Sequence, residues 1–375
     1  MNHTLYRSFL ALSLIAVPAF SQAPADPNPA GSPEQPLLDY SLTFDAYSET
    51  KLGALTSPNM LRNFDIASDR FKLAGVTLTM QITKGVFGLH FDSGYGDIYK
   101  TMNSFDTWGG ANRYFGQAYV SVKPIKNSDF DLDFGKFYTS VGAEVPDTGS
   151  NYQYSRSLLF TLGSPYYHFG LRASKSLTKD LVIGAQLMNG WNDVVNNTGG
   201  QSAALTATYT KKLFNLTETY LVGPEPVFLS SVYQPIVVRP KNVSQLSDSV
   251  LKLTPTAHIN AYIEALYGEE KNVAGRDSWW GVAGSLTVPL IAHWSLCPRW
   301  EFYKDATGAT SGLVQSLQEV TATVQYQPRI KDLFVRAELR SDFSDKPFFL
   351  SGNTATSKKQ ATALLAILYT VRGKK

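Results

Sequence analysis

The chain has 375 residues and a nearly balanced charge, with 34 Lys and Arg against 31 Asp and Glu. The formal net charge of +3 gives no indication of a nucleic-acid partner or of a strongly acidic one. The single cysteine, Cys297, excludes an internal disulfide bond and any metal site built from several cysteines. This length is sufficient for two globular domains or for one large all-β domain.

The N-terminal residues 1–23 have the pattern of a secretory signal peptide. Arg7 precedes an apolar run over residues 9–17, which is shorter than the roughly 20 apolar residues that a membrane-spanning helix needs. Residues 24–36 contain five prolines and no run of core-forming side chains, which predicts an extended linker. We therefore expect an exported chain whose folded part covers residues 37–375.

From residue 37 onward, about sixteen segments have the composition and the two-residue alternation of β-strands. In one of them Val335 and Leu339 alternate with Arg336 and Arg340, so apolar and charged side chains lie on opposite faces. An even number of strands is typical of outer-membrane barrels. In chain order the predicted strands are 38–47, 71–83, 86–92, 114–123, 130–138, 165–175, 181–189, 202–211, 213–222, 249–256, 258–268, 278–288, 293–304, 314–326, 332–343 and 360–371.

The connections between these segments alternate in length. Short turns are predicted at 84–85, 124–129, 176–180, 212, 257, 289–292 and 327–331. Longer loops are predicted at 48–70, 93–113, 139–164, 190–201, 223–248, 269–277, 305–313 and 344–359. Outer-membrane barrels have short periplasmic turns and longer external loops. The sequence therefore predicts an all-β fold, a transmembrane antiparallel up-and-down β-barrel of about sixteen strands.

Aromatic residues and two irregular positions refine this prediction. Near the predicted strand ends, where interfacial aromatic girdles belong, lie Tyr40, Phe91, Tyr114, Trp279, Trp280, Trp294 and Tyr369. The apolar phase of segment 130–138 slips after Phe134, which predicts a β-bulge near Gly135. Pro298 has no N–H to donate and predicts a local defect in its strand.

Several segments, in their order and spacing, resemble a known family over essentially the whole chain after the linker. They are LRNFDIASDRFKL (61–73), GKFYTSVGAE (135–144), SRSLLF (155–160), YYHFGLR (166–172), NGW (189–191), RWEFYKDATG (299–308), EVTATVQYQP (319–328) and VRAELRSDFSD (335–345). The sequence resembles the outer-membrane β-barrel porin-2 family, the OmpL-like porins of Gram-negative bacteria. The resemblance implies a water-filled outer-membrane channel for passive diffusion of small hydrophilic solutes or ions. The chain departs from the usual aromatic end of such barrels, because Val371 is followed by Arg-Gly-Lys-Lys.

The third external loop, 139–164, is the candidate constriction, because the resemblance to porins implies that it folds into the lumen. It carries Glu144, Asp147 and Arg156. Opposed acidic and basic clusters would orient permeating solutes. Wall residues predicted to line the same pore are Lys136, Arg172, Arg299, Glu301, Arg336, Glu338, Arg340 and Asp342.

The wall charges are predicted to face water rather than lipid, since Lys or Arg at the bilayer midplane costs roughly 2 to 4 kcal/mol. We expect Arg299 to pair with Glu301, and Arg336 to pair with Glu338. Such pairs line a pore and have no nucleophile beside them, so they are weak candidates for catalysis.

No catalytic residue, cofactor or metal site is predicted, since the sequence contains neither HExxH nor GxSxG. The expected partners are outer-membrane lipid, lipopolysaccharide and small hydrophilic solutes, with a homotrimer expected by analogy with general porins and no nucleic acid. Two alternatives stay open. One is a plugged outer-membrane barrel with a structural or adhesive role, and the other is a soluble periplasmic β-protein that binds glycans.

Overall fold

The computed structural model describes residues 37–53, 59–104, 106, 110–125, 128–196, 199–225, 227–229, 236–238, 242–256, 258–272, 275–351 and 354–375. The predicted signal peptide and the predicted Pro-rich linker lie outside these residues. None of the helices in the described ranges is both long and apolar enough to cross a membrane.

β-Strands make up most of the described structure. The strands are β1 (Leu37–Lys51), β2 (Arg70–Lys84), β3 (Phe87–Tyr95), β4 (Phe115–Val122), β5 (Phe130–Tyr138), β6 (Tyr167–Ser176), β7 (Leu181–Met188), β8 (Ser202–Lys211), β9 (Phe214–Gly223), β10 (Val227–Leu229), β11 (Ile236–Val238), β12 (Val243–Leu253), β13 (Asn260–Asn272), β14 (Gly275–Pro289), β15 (Trp294–Asp305), β16 (Gln315–Tyr326), β17 (Leu333–Ser344), β18 (Phe349–Ser351), β19 (Thr354–Ser357) and β20 (Lys359–Lys374). The helical elements are α1 (Asp97–Met102), two 3₁₀ turns (Gly110–Tyr114 and Thr148–Ser150) and one π-helix (Leu159–Gly163).

Sixteen of these strands form one closed antiparallel barrel. β10 and β11 form a separate hairpin, as do β18 and β19, and both hairpins belong to long connections. The barrel closes between β1 and β20, where Asp39 lies opposite Lys374 and Lys51 lies opposite Thr362. Closure leaves no edge strand with unpaired backbone groups, which is what the interior of a membrane requires. The predicted fold class and strand number are confirmed.

β12 begins six residues earlier than predicted. It starts at Val243, whereas the sequence predicted a strand only from residue 249. The side chains of Gln245, Ser247 and Ser249 alternate with buried residues of the inner face. Because these alternating positions are polar rather than apolar, the segment lacked the pattern by which the other strands were recognised.

The predicted bulge at Gly135 is wrong. The ladders of β5 with both neighbours keep their register through Gly135, although its φ is 138°. A Cβ atom at this position would lie 2.2 Å from the carbonyl oxygen of Ala118, so the positive φ and the close approach together require glycine. The ladder slip lies in the adjacent strand pair, between Asp92 and Ser93 where β3 meets β4.

The predicted defect at Pro298 is confirmed. The ladder between β14 and β15 is interrupted between the pair Ser285 with Arg299 and the pair Val288 with Leu296. The hydroxyl of Ser285 donates to the Pro298 carbonyl at 3.1 Å. A side-chain hydrogen bond therefore lies where the proline interrupts the backbone ladder.

The outer surface of the barrel is mostly apolar. Leu339 and Leu365 are each 58% exposed there, and Trp300 is 49% exposed. Charged side chains of the same strands, such as Glu338, lie on the inner face and are buried. Trp279 is a correction to the predicted aromatic girdle, because its side chain is buried and its Nε1 donates to the carbonyl of Gly163 at 3.4 Å.

Candidate functional site: the loop inside the barrel

The third external loop, residues 139–164, lies inside the barrel against its inner wall. Its π-helix packs on β13 and β14, with Gly163 in contact with Leu266 and Tyr303. Two wall regions differ in their relation to this loop. We call the inner faces of β12–β17 the covered wall, because the loop contacts them. We call the part-exposed inner surface of β2–β6 that carries Thr79, Gln81, His90, Tyr119, Ser121, Asp133 and Arg172 the exposed wall.

Wall carboxylates accept hydrogen bonds from backbone amides of the loop. Glu301 accepts from Leu158 N at 2.7 Å and from Leu159 N at 3.3 Å. Glu338 accepts from Tyr154 N at 2.7 Å and from Ser155 N at 3.1 Å. An irregular loop has backbone donors without partners from secondary structure, and these carboxylates satisfy them.

Two further carboxylates act in the same way at the start of the loop. Asp248 accepts from Gly142 N at 2.7 Å, and Glu264 accepts from Ala143 N at 3.0 Å. Both acids are buried. They were missed in the sequence, although both lie in inward positions of alternating strands, and the polar composition of β12 concealed the alternation.

Wall arginines bind the loop carbonyl groups. Arg336 donates to the carbonyl oxygens of Thr148 at 2.9 Å, Asn151 at 2.8 Å and Gln153 at 3.1 Å. Arg340 donates to the carbonyl oxygen of Arg156. Side chains of the covered wall therefore bind mainly the backbone of the loop. Wall carboxylates bind the loop amides, and wall guanidinium groups bind the loop carbonyls.

Arg299 lies at the centre of this contact and is 2% exposed. Its Nη1 is 2.7 Å from Glu144 Oε1, and its Nε is 3.0 Å from Glu319 Oε2. The predicted partner, Glu301, is farther away at 3.7 Å and lies on the same strand. The predicted ion pair with Glu301 is therefore present, and Glu319 on the neighbouring strand is the nearer wall partner of Arg299. Glu319 also lies directly opposite Glu301, so Arg299 neutralises two adjacent carboxylates.

The predicted pairing of Arg336 with Glu338 is corrected, because both side chains bind the loop rather than each other. Glu144 contacts Arg299 directly and accepts from Ser157 N at 2.7 Å. The predicted field between opposed charges across an aqueous gap is therefore not what this geometry gives. These charges are in contact and buried.

Two other loop charges do not oppose the wall. Asp147 accepts from the Ser150 hydroxyl at 2.6 Å and so stabilises a turn within the loop. Arg156 donates to the loop carbonyls of Pro146 and Tyr154. Its guanidinium group also lies 5.0 Å from the ring centroid of Phe64, in the first external loop.

Lys136 and Arg172 lie away from the acidic groups of the third loop. Lys136 donates to the Phe115 carbonyl at 2.9 Å and lies 3.8 Å from the Tyr167 ring centroid, where it is buried. Arg172 pairs with Asp133 of the adjacent strand at 2.6 Å. The predicted constriction therefore divides into a loop-binding group on the covered wall and separate contacts elsewhere.

The first external loop is joined to the same network through Asp342. Arg340 lies 2.8 Å from Asp342, and Arg62 of the first loop lies 3.2 Å from it. Arg62 also pairs with Asp65. Burial alone would raise the pKa of Asp65, but the guanidinium groups of Arg62, Arg340 and Arg156 outweigh burial and hold that pKa below its ordinary value.

Aromatic side chains from three external loops and the barrel wall pack together in the barrel. Tyr47 and Tyr154 have ring centroids 5.4 Å apart, and Phe64 and Tyr166 have centroids 5.5 Å apart. From α1 in the second external loop, the Tyr99 hydroxyl donates to Thr77 at 3.0 Å. The three loops are thereby fixed to one another as well as to the wall.

The exposed wall has a different character. Its inward side chains are mostly neutral and polar, and their exposure is intermediate, as for Thr79, Gln81, His90, Tyr119, Ser121, Asp133 and Arg172. His90 stacks on Tyr119 with ring centroids 4.9 Å apart and contacts Gln81 at 2.9 Å. No motif in the sequence identifies this surface, because small polar residues in strands form no distinctive pattern.

Within the described residues, no group of three or more His, Cys, Asp and Glu side chains is arranged to hold a metal ion. Cys297 is a buried free cysteine. The site consists of the covered wall, the loop docked on it and the part-exposed polar surface of the exposed wall.

A closed sixteen-stranded barrel with an apolar outer surface and a lumen loop defines an outer-membrane channel protein. The family model described as "Putative beta-barrel porin-2, OmpL-like" matches residues 38–371. The chain belongs to this porin family, which places it in the outer membrane with a channel role. This finding excludes the soluble periplasmic alternative.

Solved structures with the same fold are outer-membrane proteins of low sequence identity. OmpT of Vibrio cholerae, folded in vitro and in a trimer form, has a TM-score of 0.60 and 12% identity, covering 90% of this chain and 99% of that one. The outer-membrane channel DcaP of Acinetobacter baumannii has a TM-score of 0.56 and 11% identity, with 89% and 97% covered. An anion-selective porin from Comamonas acidovorans has a TM-score of 0.55 and 10% identity, with 90% and 99% covered. No curated protein sequence matches the chain.

Proposed function

We propose that small hydrophilic solutes cross the barrel by passive diffusion along the exposed wall. The observation that carries this proposal is the difference in burial between the two walls. Thr79 and Gln81 on the exposed wall retain intermediate exposure, whereas Thr321 and Thr323 on the covered wall are at most 1% exposed. Solutes need a wetted surface, and the part-exposed side chains of the exposed wall supply one.

The chemistry of the exposed wall favours small neutral or zwitterionic solutes. Thr79, Gln81 and Ser121 offer hydroxyl and amide groups, which exchange hydrogen bonds with a hydrated solute. Arg172 and Asp133 form an ion pair and so largely neutralise each other. Asp92, which lies opposite Thr79, is buried and is in contact with Gln117 and His90. A wall of this composition provides contacts for polar groups without a strong preference for one sign of ionic charge.

The third external loop then sets the width of the passage. The residues predicted to line the constriction on the covered wall, among them Arg299, Glu301 and Glu338, act in this proposal by holding the loop. Their contact with the solute is indirect, through the position of the loop. This role differs from a transverse field and follows from the direct hydrogen bonds to the loop backbone.

We also propose a homotrimer, which the trimer form of the structurally similar OmpT supports. The apolar outer wall fits contact with outer-membrane lipid and lipopolysaccharide. Residues 1–23 would direct export, and the chain would act as a channel without enzymatic activity.

The proposed route is tested by cysteine accessibility in a Cys297→Ser background. Thr79→Cys on the exposed wall and Thr323→Cys on the covered wall form a matched pair. We expect a charged methanethiosulfonate reagent to change the single-channel current of Thr79→Cys in planar bilayers and to leave Thr323→Cys unaffected. Modification of Thr323→Cys alone would contradict the route, since it would place the passage on the other wall.

A second candidate function, a plugged barrel with a structural or adhesive role, is favoured by the aromatic packing of the three external loops. The same bilayer measurement separates the two. Absence of conductance steps from correctly folded protein would favour the plugged barrel and contradict the diffusion channel.

A further inference from the structure

Four polar side chains on β9 and β12 interrupt the apolar outer surface of the barrel. Glu218 and Ser247 are exposed there, and Gln245 and Ser249 are half-buried. We call these four residues the polar patch. On β17, by contrast, the outward side chain of Leu339 is apolar and is 58% exposed.

The orientation of Glu218 follows from its neighbours in β9. Thr217 and Thr219 are buried on the inner face, and the Thr219 hydroxyl donates to the carbonyl oxygen of Ser140 in the third loop at 3.1 Å. Successive strand residues point to opposite faces, so Glu218 points outward. It lies near the middle of β9, which runs from Phe214 to Gly223.

The polar patch is internally hydrogen-bonded but incompletely covered. The Ser249 hydroxyl donates to Glu218 Oε2 at 2.6 Å, and the Tyr220 hydroxyl donates to Gln245 Oε1 at 2.7 Å. Glu218 itself remains exposed. A carboxylate on the outer surface at mid-strand needs polar surroundings that the hydrocarbon chains of lipid do not provide.

The shape of the surface around the polar patch suits a close protein contact. Ala207 lies opposite Glu218, and Ala265 lies opposite Ser249, so small side chains flank the polar patch and project little from the barrel surface. Beside them lies a groove of about 350 Å³ with Tyr220, Tyr267, Gln245 and Ser247 among its lining residues. Two aliphatic side chains that suit the apolar part of an interface, Leu205 and Ile263, are 63% and 52% exposed.

A second copy of this chain is the occupant that matches these features. A second copy presents the same groove, with Tyr220 and Tyr267, and the same hydroxyl groups of Ser247 and Ser249 at the same depth in the membrane. In a closed ring the β8–β9 half of one copy would meet the β12–β13 half of the next, because ring interfaces join two different patches. That arrangement brings Glu218 of one copy to the donors Ser247 and Gln245 of another.

We propose that the polar patch, with its flanking alanines and groove, is the surface through which copies of this chain associate. This proposal rests on the proposed homotrimer and adds the face that it uses. It also accounts for the polar composition of β12, where outward side chains are Gln and Ser.

The test uses purified protein refolded into lipid vesicles, so that a second copy is the one protein available for contact. The photo-crosslinking residue p-benzoylphenylalanine replaces Ser247 in one variant and Ser341 in the other. Ser341 is a matched control, because it is an outward serine near the external end of its strand, as Ser247 is in β12. It lies on β17, far from the polar patch. We expect crosslinked dimers and trimers from position 247 and monomers from position 341.

A steric substitution gives an independent measurement. Ser247→Trp should shift native mass spectra from oligomer to monomer, whereas Ser341→Trp should leave the oligomer intact. Oligomers that crosslink from position 341 and not from position 247 would overturn the proposed face and leave the homotrimer standing. Monomers in the native mass spectrum of the unmodified protein, together with no crosslinks from either position, would overturn the homotrimer and the face together.

Discussion

The covered wall and the exposed wall are built from the same kind of strand but carry different side chains. On the covered wall, Arg299, Glu301, Glu338 and Arg340 are at most 3% exposed beneath the third loop. On the exposed wall, neutral groups such as Thr79 retain partial exposure. The buried charges of the covered wall therefore indicate where the backbone of a loop is held, since buried amides and carbonyls need partners.

The largest expected effect comes from removing the central guanidinium group of the covered wall. Arg299→Ala would leave Glu144, Glu301 and Glu319 buried together without their shared cation. Breaking a buried ion network by removing one partner costs about 3 to 5 kcal/mol. We expect a corresponding decrease in the free energy of unfolding, measured by urea titration in detergent with tryptophan fluorescence.

Arg172→Ala on the exposed wall is the matched control. It removes an arginine that pairs with Asp133 and lies over the rings of Tyr119 and Phe137, in surroundings that water reaches. The expected loss of stability is about 1 to 2 kcal/mol. Equal destabilisation by the two substitutions would show that the walls do not differ in the way their burial indicates.

A smaller effect is expected from Glu338→Gln, which conserves size and removes the charge. Glu338 accepts hydrogen bonds from Tyr154 N and Ser155 N, and an amide has one acceptor oxygen in place of two. A buried donor left without a partner costs about 1 to 3 kcal/mol. Hydrogen exchange of the loop peptide containing these residues should accelerate about tenfold.

The control for this measurement is Glu218→Gln on the outer surface, where the side chain has no contact with the loop. Exchange of the same peptide should stay at the rate of the unmodified protein. An unchanged rate in Glu338→Gln would separate the carboxylate from the holding of the loop.

The most local effect is expected at the external rim, outside the barrel strands. Burial raises the pKa of Glu225 to about 8, although hydrogen bonds from Ser202 and from Trp191 N lower it. Because the pKa in the folded state lies above the ordinary value of 4.5, the folded rim binds the proton more tightly. Its stability is then fully present below about pH 4.5 and is lost as the pH rises through 8.

Local opening around Trp191 should therefore increase between about pH 5 and pH 9. The readout is amide exchange of Trp191, corrected for the intrinsic pH dependence of exchange. Glu225→Gln cannot titrate and should abolish this pH dependence. A persistent dependence in that variant would assign it to another group, such as Asp193 or Glu270, whose carboxylates also raise the pKa of Glu225.

Local sequence patterns were sufficient for most of the barrel wall. The alternation in segment 332–343 predicted which side chains of β17 face inward, and the strand in the structure is Leu333–Ser344. The pattern failed at β12, because Gln245 and Ser247 occupy outward positions where the rule expects apolar residues. The girdle prediction failed at Trp279, because adjacent strand residues face opposite sides and Trp280 is the one that points outward.

The candidate site could be predicted less completely. Charge and alternation identified Arg299, Glu301 and Arg336 as inner-wall residues, and the structure places them there. Their partners could not be predicted, since Leu158 N and the carbonyl oxygens of the loop are backbone groups that every sequence contains. Asp248 was missed because the polar outward residues of β12 concealed the alternation around it.

The sequence by itself determined that this chain forms a closed antiparallel barrel, because a strand between lipid and water must alternate in polarity at every second residue. Tertiary structure alone decided how the lumen is divided. Gly142 meets Asp248, and Leu158 meets Glu301, across separations of more than a hundred residues. Such contacts depend on the path of the whole loop inside the barrel, and no local pattern encodes that path.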